Sequence, residues 1–421
     1  MVKHQPNSGQ KIAVIGGGII GLSIALKLQL SGEHVTVIDK KGAGEGCSKG
    51  NAGHFATEQV FPLATPGLLP QLPKMMLSPS SPVSIRFQDI HKTFFWMFRF
   101  LAKARPSATQ HATRALTDLN QQAMSSWYQL LDSVGLSHLI VMDGSLLTFE
   151  SDRLFKAYGE TLLALESQGV RYEIWGQKVI RERVPNLAES VKHGVFFPET
   201  GHSLNPYQMC LELKSEFERL GGNWCEEEIE NIDASYRSVR LSTLKSTFDF
   251  DSVVVATGAE SATLVKKLTG VKVPLQAERG YHLMVPDLAN KLPFPISSAD
   301  RKFIMTPMSH GLRLAGTVEY AGLDSPANMK RAEMLKSLAK GLLNERCDVE
   351  KSGERWMGNR PSLPDSLPVI DRLSEGKVLL AFGHQHLGLT QAAVTADLIY
   401  QLHTKQKTSL DVAPFSLSRF G

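Results

Sequence analysis

The chain has 421 residues, about 2.8 domain lengths at about 150 residues each, so two domains or one large domain with insertions is expected. Hydrophobic residues make up 42% and charged residues 21%, which excludes disorder, collagen-like repeats and coiled coil as whole-chain descriptions. The net charge of +4 is spread along the chain, without the clustered lysines and arginines of a nucleic-acid binder.

The first ten residues, MVKHQPNSGQ, are polar and lack the apolar centre of a secretory signal. Ile12–Ile15 is a short β-branched run that reads as a buried strand. Gly16-x-Gly18-x-x-Gly21 follows at once, and Leu22–Leu30 continues as a helix. After Gly32 a second strand, His34–Ile38, ends at Asp39, which lies 23 positions beyond Gly16. This is the spacing of a dinucleotide-binding βαβ unit. Gly16 permits the tight turn, Gly18 lets the backbone approach a pyrophosphate, and Gly21 lets helix and strand pack closely. The helix start offers free N–H groups to phosphate, and Asp39 can accept two hydrogen bonds from a ribose diol.

Gly42–Phe61 reads as a loop, and Leu63–Pro82, rich in proline, as a long connection. His91–Ala104 is a helix stopped near Pro106. Its Lys92, Arg99 and Lys103 share one stripe, while Phe94, Phe95, Met97, Phe98 and Leu101 form a wide apolar face. That helix either packs on the core of a substrate domain or rests on a membrane surface through residues 92–103. Helices follow at Ala115–Val134 and Leu154–Ser167, with a strand pair over Leu139–Phe149 and a strand at Val195–Phe197. A helix over Pro206–Leu220 precedes short strands at Ile229–Ile232, Val239–Leu244 and Phe248–Ala256. Val273–Val318 alternates as an antiparallel sheet, and Ala327–Asn344 is helical. A strand at Val378–Phe382 leads through Gly383–Gly388 into a last helix, Gln391–His403.

Four scattered cysteines, Cys47, Cys210, Cys225 and Cys347, form no C-x-x-C pair. They suit a reducing compartment such as the cytoplasm better than a disulfide framework or a zinc site. His384 and His386 have no neighbouring acid or cysteine to complete a metal set, so no metal is expected. No nucleophile elbow places a serine on a strand-to-helix turn, which leaves hydrolase chemistry unsupported.

The separated blocks IAVIGGGIIGLSIALKLQLSGEHVTVID, CSKGNAGHF, VVVATGAES, LRLAGTVEYAGLD, WMGNRPSLPDSLPVID and GHQHLGLTQAAVTADLI together span residues 11–405. They resemble the D-amino acid oxidase superfamily of FAD enzymes, and most of all the bacterial D-amino acid dehydrogenases of the small-subunit type. The resemblance implies an α/β plus α+β fold, with a Rossmann-like FAD-binding domain interleaved with an antiparallel-sheet substrate domain. The FAD-binding domain would take 11–62, 200–270 and 355–421; residues 63–199 and 271–354 would form the substrate-binding domain and helical insertions.

By the same resemblance FAD is held without a covalent bond. Gly16, Gly18, Ile19, Ile20, Gly21, Asp39 and Lys40 would hold its ADP part, with Ile229, Ala256, Thr257 and Gly258 closing over that end. Ser48, Asn51, Ala52 and Gly53 would run past the pyrophosphate, and Gly388, Leu389 and Thr390 would face the flavin N1/O2 edge. A helix N-terminus stabilises the negative charge of reduced flavin there. Arg360, in G-x-R-P, matches the family arginine for a substrate carboxylate, a task that favours a planar two-donor group. Tyr281 and His386 are implied pocket residues, with His54 nearby.

The implied reaction is oxidative deamination of D-amino acids, including cyclic ones such as D-proline or hydroxyproline, by hydride transfer to flavin N5. The product is a 2-oxo acid plus ammonia, or a cyclic imine, with electrons passing to quinone or another acceptor. An oxygen-using glycine or sarcosine oxidase shares the fold and Arg360, and an NAD-dependent dehydrogenase shares the glycine motif. The late ATG and GHQHLG blocks speak against the second. Oligomeric state is open.

Overall fold

The computed structural model describes residues 9–67, 83–234, 238–351, 353–373 and 376–421. The long connection expected over 63–82 therefore lies mostly outside the described residues. Two sheets dominate. In the first, the strands Val369–Leu373, Val378–Phe382, Ser252–Val255, Lys11–Ile15, His34–Ile38 and Asn223–Cys225 lie side by side in that order. All are parallel except Val369–Leu373, which runs antiparallel at the edge. The central strands are apolar throughout because both faces are covered: Ile12, Ala13 and Val14 are wholly buried, as are Val253, Val254 and Val255. Helices Ile19–Leu30, Pro206–Arg219 and Gly388–His403 cover one face. A three-stranded meander, Asn231–Ala234, Val239–Ser242 and Thr247–Phe250, packs with Ile38, Val253 and Leu380 on the other.

The second sheet has nine strands and is mostly antiparallel. Its long members are Gln276–Val285 and Gly311–Tyr320, paired to each other, with Arg355–Ser362 as the edge strand beyond Gln276–Val285. The expected strand Phe248–Ala256 is two strands in different sheets. At the break the Asp251 N–H donates to Lys11 O at 2.8 Å, and its carboxylate accepts from Lys11 N–H at 2.8 Å, so the chain turns onto the parallel sheet.

Two segments fall on the other side of the expected division. Arg355–Ser362, expected with the cofactor domain, completes the second sheet. Pro106–Asp132, expected with the substrate domain, buries Leu116, Leu119, Trp127 and Leu131 in the core of the first sheet's helical layer. It starts at Pro106, before Ala115, since proline is well suited to the first helical position. Trp127 Nε1 donates to Leu389 O at 2.9 Å, and Asn120 donates to Gln59 O at 3.0 Å and accepts from Gln391 Nε2 at 3.0 Å.

Helix Ile90–Lys103 is where hydrophobic patterning misleads. Trp96 and Phe100 pack against Tyr320, whereas Phe94, Phe95 and Phe98 on the expected packing face are exposed, Phe95 by 75%. The side chain of Lys92 is outside the described set. Among the described residues, no helix is long and apolar enough to cross a membrane.

Candidate active site

Parallel strands deliver their ends to one edge of the first sheet, and the register decides what meets there. Ile15 is paired with Ile38 on one side and Val255 on the other, so Gly16, Asp39 and Ala256 leave the sheet side by side. This carboxyl edge is where open α/β sheets bind ligands. Gly16 has φ +110°, and a Cβ there would lie 2.4 Å from Ala256 O. A Cβ on Gly21 would lie 1.8 Å from Gly16 O, so helix and turn touch. Gly18, the N-cap of Ile19–Leu30, carries no side-chain cap, and a Cβ there would meet only Ser48 Oγ, at 3.3 Å.

Asp39 ties this edge together. Its carboxylate accepts from Gly17 N at 2.7 Å, Lys41 N at 2.8 Å and Gly42 N at 3.1 Å, which holds the glycine turn and the following loop in one frame. Lys40 points to Glu228 and Glu260, at 2.8 and 2.6 Å. Thr257 Oγ1 meets Ser261 Oγ at 3.0 Å, Gly258 has φ +57°, and Ile229 is buried beside Ile38 and Val253. Ser48 Oγ accepts from Ile19 N at 3.0 Å, at the helix start beside half-buried Ile20.

The loop Cys47–Gly53 then crosses to the second sheet. His282 Nδ1 donates to Gly50 O at 3.0 Å and Arg313 Nη1 to Asn51 O at 2.5 Å, while Asn51 Oδ1 caps Gly53 N at 2.8 Å beside half-buried Ala52. Beyond it, Ala56 N donates to Thr390 Oγ1 at 2.9 Å, so this loop and the start of helix Gly388–His403 are one construction. That helix also begins without a side-chain cap, at Leu387. Two helix N-termini along this edge, neither capped by its own N-cap residue and the first met by Ser48 Oγ from the crossing loop, suit a long ligand carrying negative charge at two places. A dinucleotide flavin is such a ligand, and these residues fit it.

The side expected to meet substrate is built across three strands, Arg355–Ser362, Gln276–Val285 and Gly311–Tyr320. Arg360 is directly opposite Glu278, and Glu278 is directly opposite Tyr320, so all three share one face of the second sheet. The Arg360 guanidinium lies over Gly280, where a Cβ would come within 2.6 Å of it, and Nη1 pairs with Glu278 Oε1 at 3.2 Å. Cys47 and His386 both feel this pair. Desolvation pushes the Cys47 thiol up to about 11, Arg360 opposing and Glu278 reinforcing. His386 is held down to about 4 by burial first, with Glu278 opposing and Arg360 reinforcing. The Gly383–Gly388 loop is bound to the arginine strand through Gln385 N to Pro361 O at 3.3 Å and Gln385 Nε2 to Leu363 O at 2.9 Å.

Tyr281 is not in this group. One residue's step from Gly280 turns it to the opposite face, where its hydroxyl donates to Glu319 at 2.7 Å and accepts from Asn328 N at 3.1 Å. The residue that sequence reasoning missed is Glu278. Its signal was a lone acid in a strand that is buried from end to end, where an acid needs a partner.

Five histidines are kept neutral, by burial first in every case: His54, His282 and His384 near 3, His202 and His386 near 4. Unfolded, each would take up a proton near 6.5, so their stabilising share is complete above that pH and is lost as pH falls toward 4. Glu58, raised by burial to about 7, works the other way and offsets part of this. The melting temperature should therefore drop between pH 7 and pH 5. Substituting His384→Gln, at a ring that meets Thr395 Oγ1 at 3.0 Å, should flatten that slope in a pH series of thermal melts.

The structure shares its fold with glycine oxidase from Geobacillus kaustophilus, on which it superposes with TM-score 0.76 at 20% identity, covering 97% of this chain and 99% of that one. L-proline dehydrogenase from P. horikoshii gives 0.72 at 19% identity, covering 98% of each. A model of the FAD dependent oxidoreductase family (DAO) matches residues 11–402, and the chain belongs to that family. A D-amino-acid oxidase of Bradyrhizobium diazoefficiens is 31% identical, over 98% of this chain and 99% of its own length. A D-amino acid dehydrogenase of Vibrio cholerae is 26% identical, over 97% and 99%. The protein is thus an FAD-dependent oxidoreductase.

Proposed function

We propose that the protein oxidises D-amino acids to imino acids, which water converts to 2-oxo acids and ammonia, and that cyclic D-amino acids such as D-proline leave as cyclic imines. The observation that carries this reading is Arg360: a fork of donors fixed over Gly280, beside the loop that starts helix Gly388–His403. Bound FAD, held without a covalent bond, would accept the hydride from the substrate Cα. Arg360 takes the carboxylate through two parallel hydrogen bonds, which fixes the direction of the Cα–H bond. His386, kept neutral, offers a lone pair or an N–H without adding positive charge beside Arg360. Gly16, Gly18 and Ser48 would lie along the pyrophosphate, Asp39 near the ribose, and Gly388–Thr390 at the ring edge, where the helix start stabilises negative charge.

The test is anaerobic bleaching of the flavin absorbance against paired D- and L-amino acids, with D-proline and hydroxyproline isomers included. Bleaching by glycine or sarcosine but by no D-amino acid would overturn the reading.

For the acceptor we propose quinone or another carrier, reached at the inner face of a membrane. The support is helix Ile90–Lys103, which exposes Phe94, Phe95 and Phe98 next to Arg99 and Lys103, with Phe87 exposed by 85% just ahead of it. Aromatic side chains with basic neighbours suit an anionic lipid surface. Phe95→Ser with Phe98→Ser should reduce cosedimentation with anionic vesicles severalfold while flavin content stays unchanged.

A further inference from the structure

Glu278 sits badly for a residue whose only task is to hold Arg360. Its carboxylate is buried on the pocket face, and only one oxygen is used: Oε1 meets Arg360 at 3.2 Å, while Oε2 is buried with no hydrogen-bond partner. A buried carboxylate oxygen left without a donor is costly, and such a group implies either a binding event that supplies one or a strain with no return. Beside Arg360, the Tyr320 hydroxyl is a donor on this face, and the other neighbours offer Glu278 little. Trp96 packs against Tyr320 at 5.1 Å between ring centres, the rings tilted by 35°, and its own N–H is committed to Ser362 O at 3.2 Å. Tyr320, directly opposite Glu278, is raised first by burial, then by the charge of that carboxylate and by hydrogen bonding with it, Arg360 opposing, while Oε2 is the oxygen left without a partner. The Cys47 thiol is pushed up to about 11 and stays protonated.

A carboxylate next to the arginine that binds a substrate carboxylate would repel a simple acid. It is favourable for a molecule that brings a cation with its anion. An α-amino acid carries its carboxylate and its nitrogen on one carbon, so a carboxylate docked on Arg360 puts the nitrogen close by. We propose that Glu278 is the amine-recognition residue: Arg360 and Glu278 form a clamp for a zwitterion, with the carboxylate on Arg360 and a substrate N–H on Glu278 Oε2. Glu278 is then specificity-determining. It favours primary and secondary α-amino acids over 2-hydroxy acids and plain carboxylates of the same shape, which would leave Oε2 unpaired.

This inference rests on Arg360 as the carboxylate anchor and deepens the reading above. It is tested with FAD-loaded wild type and Glu278→Gln, matched for flavin content. Two ligand series are titrated by the change in flavin absorbance: amino acids, with L-enantiomers included as ligands whether or not they are oxidised, and benzoate as a carboxylate without an amine. Losing the charge on one hydrogen bond should weaken amino acid binding on the order of tenfold to a hundredfold. Benzoate should bind as before or more tightly, because Arg360 is released from its partner. Parallel weakening of both series would mean that Glu278 only orients Arg360, and unchanged amino acid binding would mean that it touches no substrate; either result overturns the proposal. A wild type that binds both series but bleaches with no D-amino acid defeats the oxidation reading and leaves this comparison intact.

Discussion

Replacing Arg360 with alanine should lower kcat/KM for D-amino acids by about a thousandfold, with an artificial electron acceptor as readout. Truncating one partner of a buried, hydrogen-bonded charge pair costs about 2–5 kcal/mol, and a thousandfold is about 4 kcal/mol. Two losses combine in the variant. The substrate carboxylate loses its two-pronged donor, and Glu278, which is buried, loses the cation 3.2 Å away. Arg360→Lys separates them, because it keeps the charge and discards the planar fork. It should recover part of the stability but only about a tenth or less of the activity. Turnover unchanged in Arg360→Ala would remove this arginine from the site.

Gly21→Ala should yield a protein that purifies without flavin. The new methyl would lie 1.8 Å from Gly16 O, a backbone atom in the turn between the first strand and the first helix. No rotamer relieves that contact, so the helix must move away from the strand and carry its free N–H groups with it. Overpacking of this kind costs about 3 kcal/mol, roughly 3–4 °C in melting temperature for a chain of 421 residues. The matched control is Gly159→Ala, inside helix Asp152–Ser167, where nothing lies within 4 Å of the added Cβ. It should keep both flavin and melting temperature.

These two predictions differ in how readily the chain discloses them. The glycine turn, its helix and Asp39 are legible because they follow one another in the single stretch Lys11–Asp39, where strand, turn and helix signals agree. Arg360 came from its motif, but its placement over Gly280 and against Glu278 depends on a strand register between segments some eighty residues apart, which local patterning does not encode. Period-two alternation would have told Tyr281 from Glu278, had the pocket face of the strand been known. Helix Ile90–Lys103 inverted the usual inference, because the three phenylalanines of its apolar stripe, Phe94, Phe95 and Phe98, face outward while Trp96 and Phe100, with Met97 and Leu101, do the packing. Phe248–Ala256 read as one strand because a single residue, Asp251, redirects the chain without glycine or proline to mark the turn.

Helix Pro106–Asp132 also bears on how this architecture could be rebuilt. It leaves the chain between segments of the second sheet, yet Trp127 and Asn120 fasten the start of helix Gly388–His403 and the loop that meets it. The cofactor half is therefore not a transplantable cassette. A chimera that exchanges the substrate half with a relative would have to leave this one helix behind, with its native sequence, or the proposed flavin seat would be dismantled along with the specificity being replaced.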